Sequence, residues 1–411
     1  MKRVLVAAVV LLAGCGQGAG TASQTTPLPT KASSSNSPTA SPSAGSTNVL
    51  LAISEGNQGC FGFSCTSHIA IVGIDGRVYA RATFTPPQPA VVGCEGGYVT
   101  NPIQVAAGGV YYLDNTGLVR RLNPSGAISE VAHFPIHTSQ QLMWLAVSPD
   151  GSKLMAAIRV YPPLSASWDP SKSCPVHDPG RVHEELDIAA LAGSTTVLSD
   201  QTDPPHLMSL GGWDAAGPVA IPDTRIAYIG YIDGTRWSGP AAHLDAQGKV
   251  SGLPIGGADC LPLFGETGDG HLICYDPKQP TVRDATGHIL WKLKALDPND
   301  EFTYGVVALS PDSSHVAFRL NSHCCFTFDS SVIRSRDGIR IGLGSSFDPQ
   351  GWLDNQMLIG ARGSVQPTCS GCPPDFKPTT LGIITLANPD KVKDLGISGK
   401  FLGVIQSGSA I

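Results

Sequence analysis

Two stretches of this chain are copies of one another. Leu145-Ala-Val-Ser-Pro-Asp-Gly-Ser-Lys-Leu-Met-Ala-Ala-Ile158 aligns without a gap with Val307-Ala-Leu-Ser-Pro-Asp-Ser-Ser-His-Val-Ala-Phe-Arg-Leu320. Each copy is an apolar stretch, a Ser-Pro-Asp turn flanked by small residues, and a second, alternating apolar stretch. Pro presets φ for the turn, Asp bonds to backbone two residues on, and Gly151 accepts a positive φ. Two strands joined this way form a β-hairpin.

Weaker copies follow the same plan. Gly212-Trp213-Asp214 and Gly351-Trp352-Leu353-Asp354 each precede a short apolar run, as do Ala106–Gly109 and Thr267–Gly270. A second hairpin follows most of them, with Asp and Gly again at the turn: Asp75-Gly76, Asp245 to Gly248, and Asp284 to Gly287. Hairpin plus hairpin is four strands, recurring roughly every 40 to 60 residues, which is the pattern of β-propeller blades. A β-sandwich also uses short strands and tight turns, but duplicated turns at matching hairpin positions favour the propeller. The motif resembles the repeats of TolB-like and WD-repeat-like propellers, strongly over two blades and in pattern over the rest. That resemblance implies a fold and carries no activity.

The expected fold is therefore all-β, a propeller of four-stranded blades. Seven are favoured, and six or eight fit the same spacing. Inner strands are expected to begin near Ile103, Leu142, Leu207, Leu261, Tyr304 and Phe347. The remaining blade is split. Val49–Ile53 and the hairpin around Asp75-Gly76 lack a preceding strand, and Lys400–Gln406 is a spare one. Pairing the C-terminal strand with the first blade closes the ring and protects both sheet edges.

Composition agrees. Gly (47) and Pro (33) are abundant and only 15% of the 411 residues are charged, which disfavours helical bundles. With 42% hydrophobic residues the chain has ample material for a core. The net charge is −6, with no basic run or aromatic-interleaved basic stripe, so nucleic acid is not an expected partner.

The N-terminus sets the expected location. Lys2 and Arg3 precede an uninterrupted apolar run, Val4–Ala13, too short to span a hydrocarbon core of about 30 Å. This is a secretory signal pattern, assigned to residues 1–14. Leu12-Ala13-Gly14-Cys15 resembles the bacterial lipobox, which makes Cys15 the expected lipidated N-terminus. From Gly16 to Asn48, 18 of 33 residues are Ser, Thr or Pro. Such a segment cannot offset its own ordering entropy, so residues 15–48 read as a lipidated tether and 49–411 as a single propeller domain. The expected place is the outer face of the cell membrane.

Ten cysteines remain, an even number that in an exported chain favours disulfides. Cys60, Cys65, Cys174, Cys324, Cys325, Cys369 and Cys372 lie between the second and third strands of their blades. Cys94 and Cys260 lie between blades, and Cys274 in a second strand. In a propeller these positions open on one face. Cys260 and Cys274 flank a hairpin and are placed to face each other. Cys60 with Cys65, and Cys369 with Cys372, can each close a small loop. A bond between Cys324 and Cys325 would be strained, so these are expected to bridge outward, and Cys94 and Cys174 are left to pair. The alternative is a metal or redox site: Cys60-x4-Cys65 and Cys369-x2-Cys372 have spacings open to zinc, with His68 and His323 nearby in sequence. As a redox C-x-x-C, Cys369-Ser-Gly-Cys372 lacks a following helix, because Pro373-Pro374 comes next.

No catalytic motif is complete. His183-Glu184-Glu185-Leu186-Asp187 begins like H-E-x-x-H but ends in Asp and sits where a strand is expected. His68, His137, His243 and His271 occur singly and read as satisfied residues. Trp213 and Trp352 hold equivalent repeat positions and read as packing between blades. Asp150 and Asp312 read as structural turn residues. No catalytic residue, metal ligand or cofactor is assigned.

The leading functional expectation is a membrane-anchored, monomeric binding or scaffolding module for a protein, peptide or glycan of the cell envelope. The alternatives are an envelope enzyme (hydrolase, lyase or oxidoreductase) with its site at the channel mouth, and a metal or redox sensor built on the loop cysteines.

Overall fold

In the computed structural model the Ser-Pro-Asp turns form the hydrogen-bond circuit their composition demands. Ser148 Oγ donates to Asp150 Oδ1 (2.6 Å), the Ser152 N–H donates to the same oxygen (3.0 Å), and the Lys153 N–H donates to Ser148 Oγ (2.9 Å). The second copy repeats it with Ser310, Asp312, Ser314 and His315 at 2.8, 3.0 and 2.9 Å. Gly151 and its counterpart Ser313 both have positive φ, 72° and 59°. The same carboxylate-to-amide bond, two residues on, closes the turns at Asp75, Asp214, Asp245, Asp284 and Asp354. Three hydroxyl and amide donors, the Ser148 hydroxyl first, hold the Asp150 carboxyl down at about 2.

The structure describes residues 49–55, 66–87, 101–167, 180–204, 207–223, 241–260, 262–263, 271–274, 280–293, 307–321, 328–367 and 374–405. Thr47–Ile411 forms one unit. The signal, Cys15 and tether expected over residues 1–48 lie outside the described residues.

Seven four-stranded antiparallel sheets are present, with no helix among the described residues. Blade 1 comprises Leu50–Glu55, Ser67–Gly73 and Val78–Phe84, with Lys400–Ile405 added. Blade 2 comprises Ile103–Ala106, Gly109–Leu113, Leu118–Leu122 and Ile128–His133. Blade 3 comprises Gln141–Val147, Lys153–Val160, His183–Ala190 and Thr195–Thr202. Blade 4 comprises Leu207–Trp213, Pro218–Asp223, Ala242–Leu244 and Val250–Ser251. Blade 5 comprises Pro262–Leu263, Leu272–Cys274, Thr281–Arg283 and Ile289–Lys292. Blade 6 comprises Val307–Leu309, His315–Asn321, Phe328–Ser335 and Arg340–Gly344. Blade 7 comprises Phe347–Trp352, Met357–Pro367, Pro374–Thr385 and Asn388–Asp394.

The ring closes as the split blade implies. Leu50 pairs with Ile405, Leu51 with Val404 and Ala52 with Gly403, so the last strand of the chain becomes the first strand of blade 1. Side chains of a strand alternate between its two faces, and here each face meets a neighbouring blade. Leu51 and Ile53 pack with Ile359 and Leu381 of blade 7, while Ala52 packs with Val110 and Tyr112 of blade 2. Every one of the seven blade interfaces holds its own apolar cluster.

Tryptophans fasten several of these layers. Trp352 Nε1 of blade 7 donates to the Ala308 carbonyl of blade 6 (2.9 Å), and Trp291 Nε1 of blade 5 donates to the Ser313 carbonyl of blade 6 (2.8 Å). Trp213 packs into the layer between blades 3 and 4.

Candidate functional site

The two faces of the disc are built differently. First-to-second and third-to-fourth strand turns share one face, and the tight Asp turns above lie there. Second-to-third connections and those between blades leave from the other face. The described ends of the connection from Val160 to His183, residues 161–167 and 180–182, lie on that side. Blade 7 also extends there: Gly363 to Gln366 pair with Pro378 to Asp375, beyond the part of the blade that is four-stranded.

Near this face, blade 3 carries two polar groups on opposite sides of one strand. The strand His183–Ala190 alternates. Glu185 and Asp187 lie opposite Ile158 and Ala156, which belong to the layer shared with blade 2. Glu184 and Leu186 lie opposite Arg159 and Ala157, on the side of blade 4. The segment that resembles H-E-x-x-H is thus read by the fold as His-x-Glu-x-Asp on one face, because a strand has period two.

On the blade 4 side, Arg159 is fully buried, with its guanidinium carbon 4.9 Å from the centre of the Trp144 ring. Its Nη2 donates to the Met208 carbonyl (3.2 Å) and stands 3.6 Å from Glu184 Oε2. Glu184 Oε2 accepts the Met208 N–H (2.7 Å). The ion pair therefore grips both backbone groups of one residue in the first strand of blade 4. Its role is to join two blades, and charge-assisted hydrogen bonds to backbone suit that task.

On the blade 2 side lies the candidate site. Asp187 has no solvent exposure, and neither carboxyl oxygen accepts a hydrogen bond from a donor. Burial first, then the neighbouring Glu185 carboxyl, then Asp200, push its pKa up to about 7. The Asp187–Glu185 contact is one between two carboxyl groups, so it requires a proton between them. His137 Nε2, from the connection between blades 2 and 3, is 2.8 Å from Glu185 Oε2. His183 Nε2 is 3.0 Å from Asp200 Oδ1. Side-chain exposure rises outward from 8% at Glu185 to 37% at His137 and 59% at Asp200. Chemically the group can hold a proton in the interior and pass it toward solvent through Glu185 and His137. Among the described residues, no set of three His, Cys, Asp or Glu side chains is arranged to hold a metal ion.

The other histidines singled out in the sequence each have a partner. His68 Nδ1 is 3.0 Å from Thr83 Oγ1, His243 Nε2 is 2.8 Å from Asp214 Oδ2, and His271 Nδ1 is 2.7 Å from Ser313 Oγ. His137 differs because its partner leads to a buried acid. The sequence names Glu185 and Asp187 only within the incomplete H-E-x-x-H segment and assigns them no role. The available signal was alternation of His, Glu and Asp within an expected strand.

Cys260 and Cys274 are joined by a disulfide, with Cα atoms 4.9 Å apart. Both are buried, packed with Val219, Ala241, Ile255 and Leu272 between blades 4 and 5. The bond is thus part of the core where strands are shortest, two to three residues in Pro262–Leu263 and Leu272–Cys274. Replacing both by Ala is expected to lower stability by about 3 kcal/mol for a loop of this size, read as a lower denaturation midpoint under non-reducing conditions. Cys60, Cys65, Cys94, Cys174, Cys324, Cys325, Cys369 and Cys372 lie outside the described residues, as does His323.

No protein-family profile and no curated protein matches the chain. Solved structures with a similar fold include an oligogalacturonate lyase in complex with manganese, at 10% identity and TM-score 0.44, covering 76% of this chain and 87% of that one. A putative TolB from Agrobacterium tumefaciens is 11% identical with TM-score 0.33, covering 84% and 94%. An acylaminoacyl peptidase in complex with a chloromethyl ketone is 11% identical with TM-score 0.47, and the match spans 85% of this chain and 51% of that one. The seven-bladed all-β ring rests on the chain's own strand pairing, and the chain is a β-propeller.

Proposed function

We propose that this chain is an exported lipoprotein, anchored through Cys15 at the outer face of the cell membrane. Its propeller acts there, as a monomer, as a binding or scaffolding module for a protein, peptide or glycan partner. The observation that carries the reading is the asymmetry of the disc. One face is closed by tight, self-satisfied Asp turns. The other carries residues 161–167 at the end of blade 3 and the extended hairpin of blade 7. Binding residues gather on loops held by a rigid scaffold, and a tether rich in Ser, Thr and Pro gives such a disc reach.

Photo-crosslinking residues placed at Ser165 and Lys377 on the loop face, and at Gln247 and Thr286 on the turn face, test this in intact cells. Adducts from the loop face alone are expected. Equal labelling from both faces, or none from either, would count against the reading. In the same cells Cys15→Ala should move the protein from the membrane fraction to the soluble one.

A second reading, an envelope enzyme, is supported by the raised Asp187 carboxyl and its neighbour Glu185, which the partly exposed His137 contacts. It requires a turnover that Asp187→Asn and His137→Ala both abolish while binding at the loop face is retained.

A further inference from the structure

We propose that the Asp187–Glu185 carboxyl pair is a proton-operated latch between blades 2 and 3, tight in acid and loosening as the pH rises toward neutral. This inference is independent of what the loop face binds.

Geometry carries it. Asp187 is buried, without a donor, in a layer that is otherwise apolar. From its own strand it is accompanied by His183 and Glu185, from the outer strand by Asp200, and from the connection between blades by His137. The inner and middle strands of blade 3 offer Met143, Leu145, Ala156 and Ile158. Blade 2 offers Leu113, Val119, Val131 and Phe134. Arg159 lies on the opposite face of the sheet with Glu184, and Arg121 sits at the far end of the layer beside Gly108. The charges acting on Asp187 are thus both negative. A proton shared between the two carboxyls satisfies Asp187, and its loss leaves a buried anion next to Glu185.

The covering element is tied to the same group. The His137 and Thr138 N–H groups donate to Gln141 Oε1 (2.8 and 3.1 Å), and His137 holds Glu185. Opening this connection is the route by which water reaches Asp187.

The direction follows from linkage. Closed, Asp187 keeps its proton up to about pH 7; opened to water, it ionises near its ordinary value of 3.8. The closed form therefore binds more protons between these limits. The opening equilibrium should rise roughly tenfold per pH unit from about pH 4 to about pH 7 and be level above that.

Hydrogen exchange of the purified full chain, corrected for intrinsic amide chemistry, reads this in peptides covering 134–141 and 183–190. The expected result is that slope and plateau in the wild type, and a flat profile in Asp187→Asn, whose amide can donate to Glu185 at every pH. Glu185→Gln removes the negative neighbour, so its plateau should begin at lower pH. Infrared spectroscopy of the wild type gives a readout that needs no variant: a buried protonated carboxyl band that disappears near pH 7 and is missing from Asp187→Asn. A slope that persists in Asp187→Asn would move the latch to His137, His183 or Asp200 and overturn the proposal. A flat wild type, or a stoichiometric divalent cation found by elemental analysis whose removal alone opens the peptides, would overturn it equally.

Discussion

A chain ending at Gly399 is expected to fail to hold its ring. Without Lys400–Ile405, Leu50–Glu55 becomes an open edge, and Phe401 and Ile405 leave two interfaces at once. Burying a side chain of that size contributes about 1.5–3 kcal/mol. Two such losses, with the exposure of Leu51, Ala52 and Ile53 along the uncovered edge, take up much of a typical total stability of about 5–15 kcal/mol. The truncated chain should therefore aggregate or be cut rapidly in limited proteolysis, with the first cleavages in blades 1 and 7. A synthetic peptide of residues 398–411 added during refolding should restore part of the protection. Unchanged thermal unfolding of the truncated chain would mean that the strand is an ornament of the ring and not its clasp.

Arg159→Ala is the second large effect. It removes a fully buried side chain lying against Trp144 and strips Glu184 of its cationic neighbour while Glu184 still holds the Met208 N–H. Breaking a buried pair from one side costs about 3–5 kcal/mol, because the remaining charge stays buried. Arg159→Met keeps most of the packing of the stem on the ring and should cost less. Combining it with Glu184→Gln should recover part of the loss, giving a coupling in a double-mutant cycle measured by urea unfolding. Additive single effects would show that the two side chains act separately on blade 4.

Much of this architecture is legible in local sequence. The Ser148/Asp150 and Ser310/Asp312 turns form because hydroxyl, carboxylate and following amides are within five residues of one another, so their geometry needs nothing distant. The strand over His183–Ala190 was readable from its place after the Ser148-Pro149-Asp150 hairpin, since its own composition holds one β-branched residue, Ile188. The split blade was also readable, since an unpaired first hairpin and a spare last strand leave one economical pairing. Cys260 and Cys274 could be matched because the hairpin between them places their ends side by side.

The candidate site was not legible in the same way. His137 and Glu185 are far apart in the chain and meet because the connection between blades 2 and 3 folds over the end of blade 3. Glu184 and Glu185 are adjacent in sequence, yet one grips the backbone of blade 4 and the other supports a buried acid facing blade 2. No spacing rule assigns those roles.

By itself the sequence determined the repeat, the turns and the closure, because strand pairing and Asp turns are governed by contacts within a hairpin and by the alternation of side chains. Only the tertiary structure decided what each blade face meets. That choice settles the surroundings of the polar side chains between blades: Asp187 loses its water because blade 2 covers it with apolar side chains, and Arg159 is enclosed by Glu184, Trp144 and the backbone of Met208.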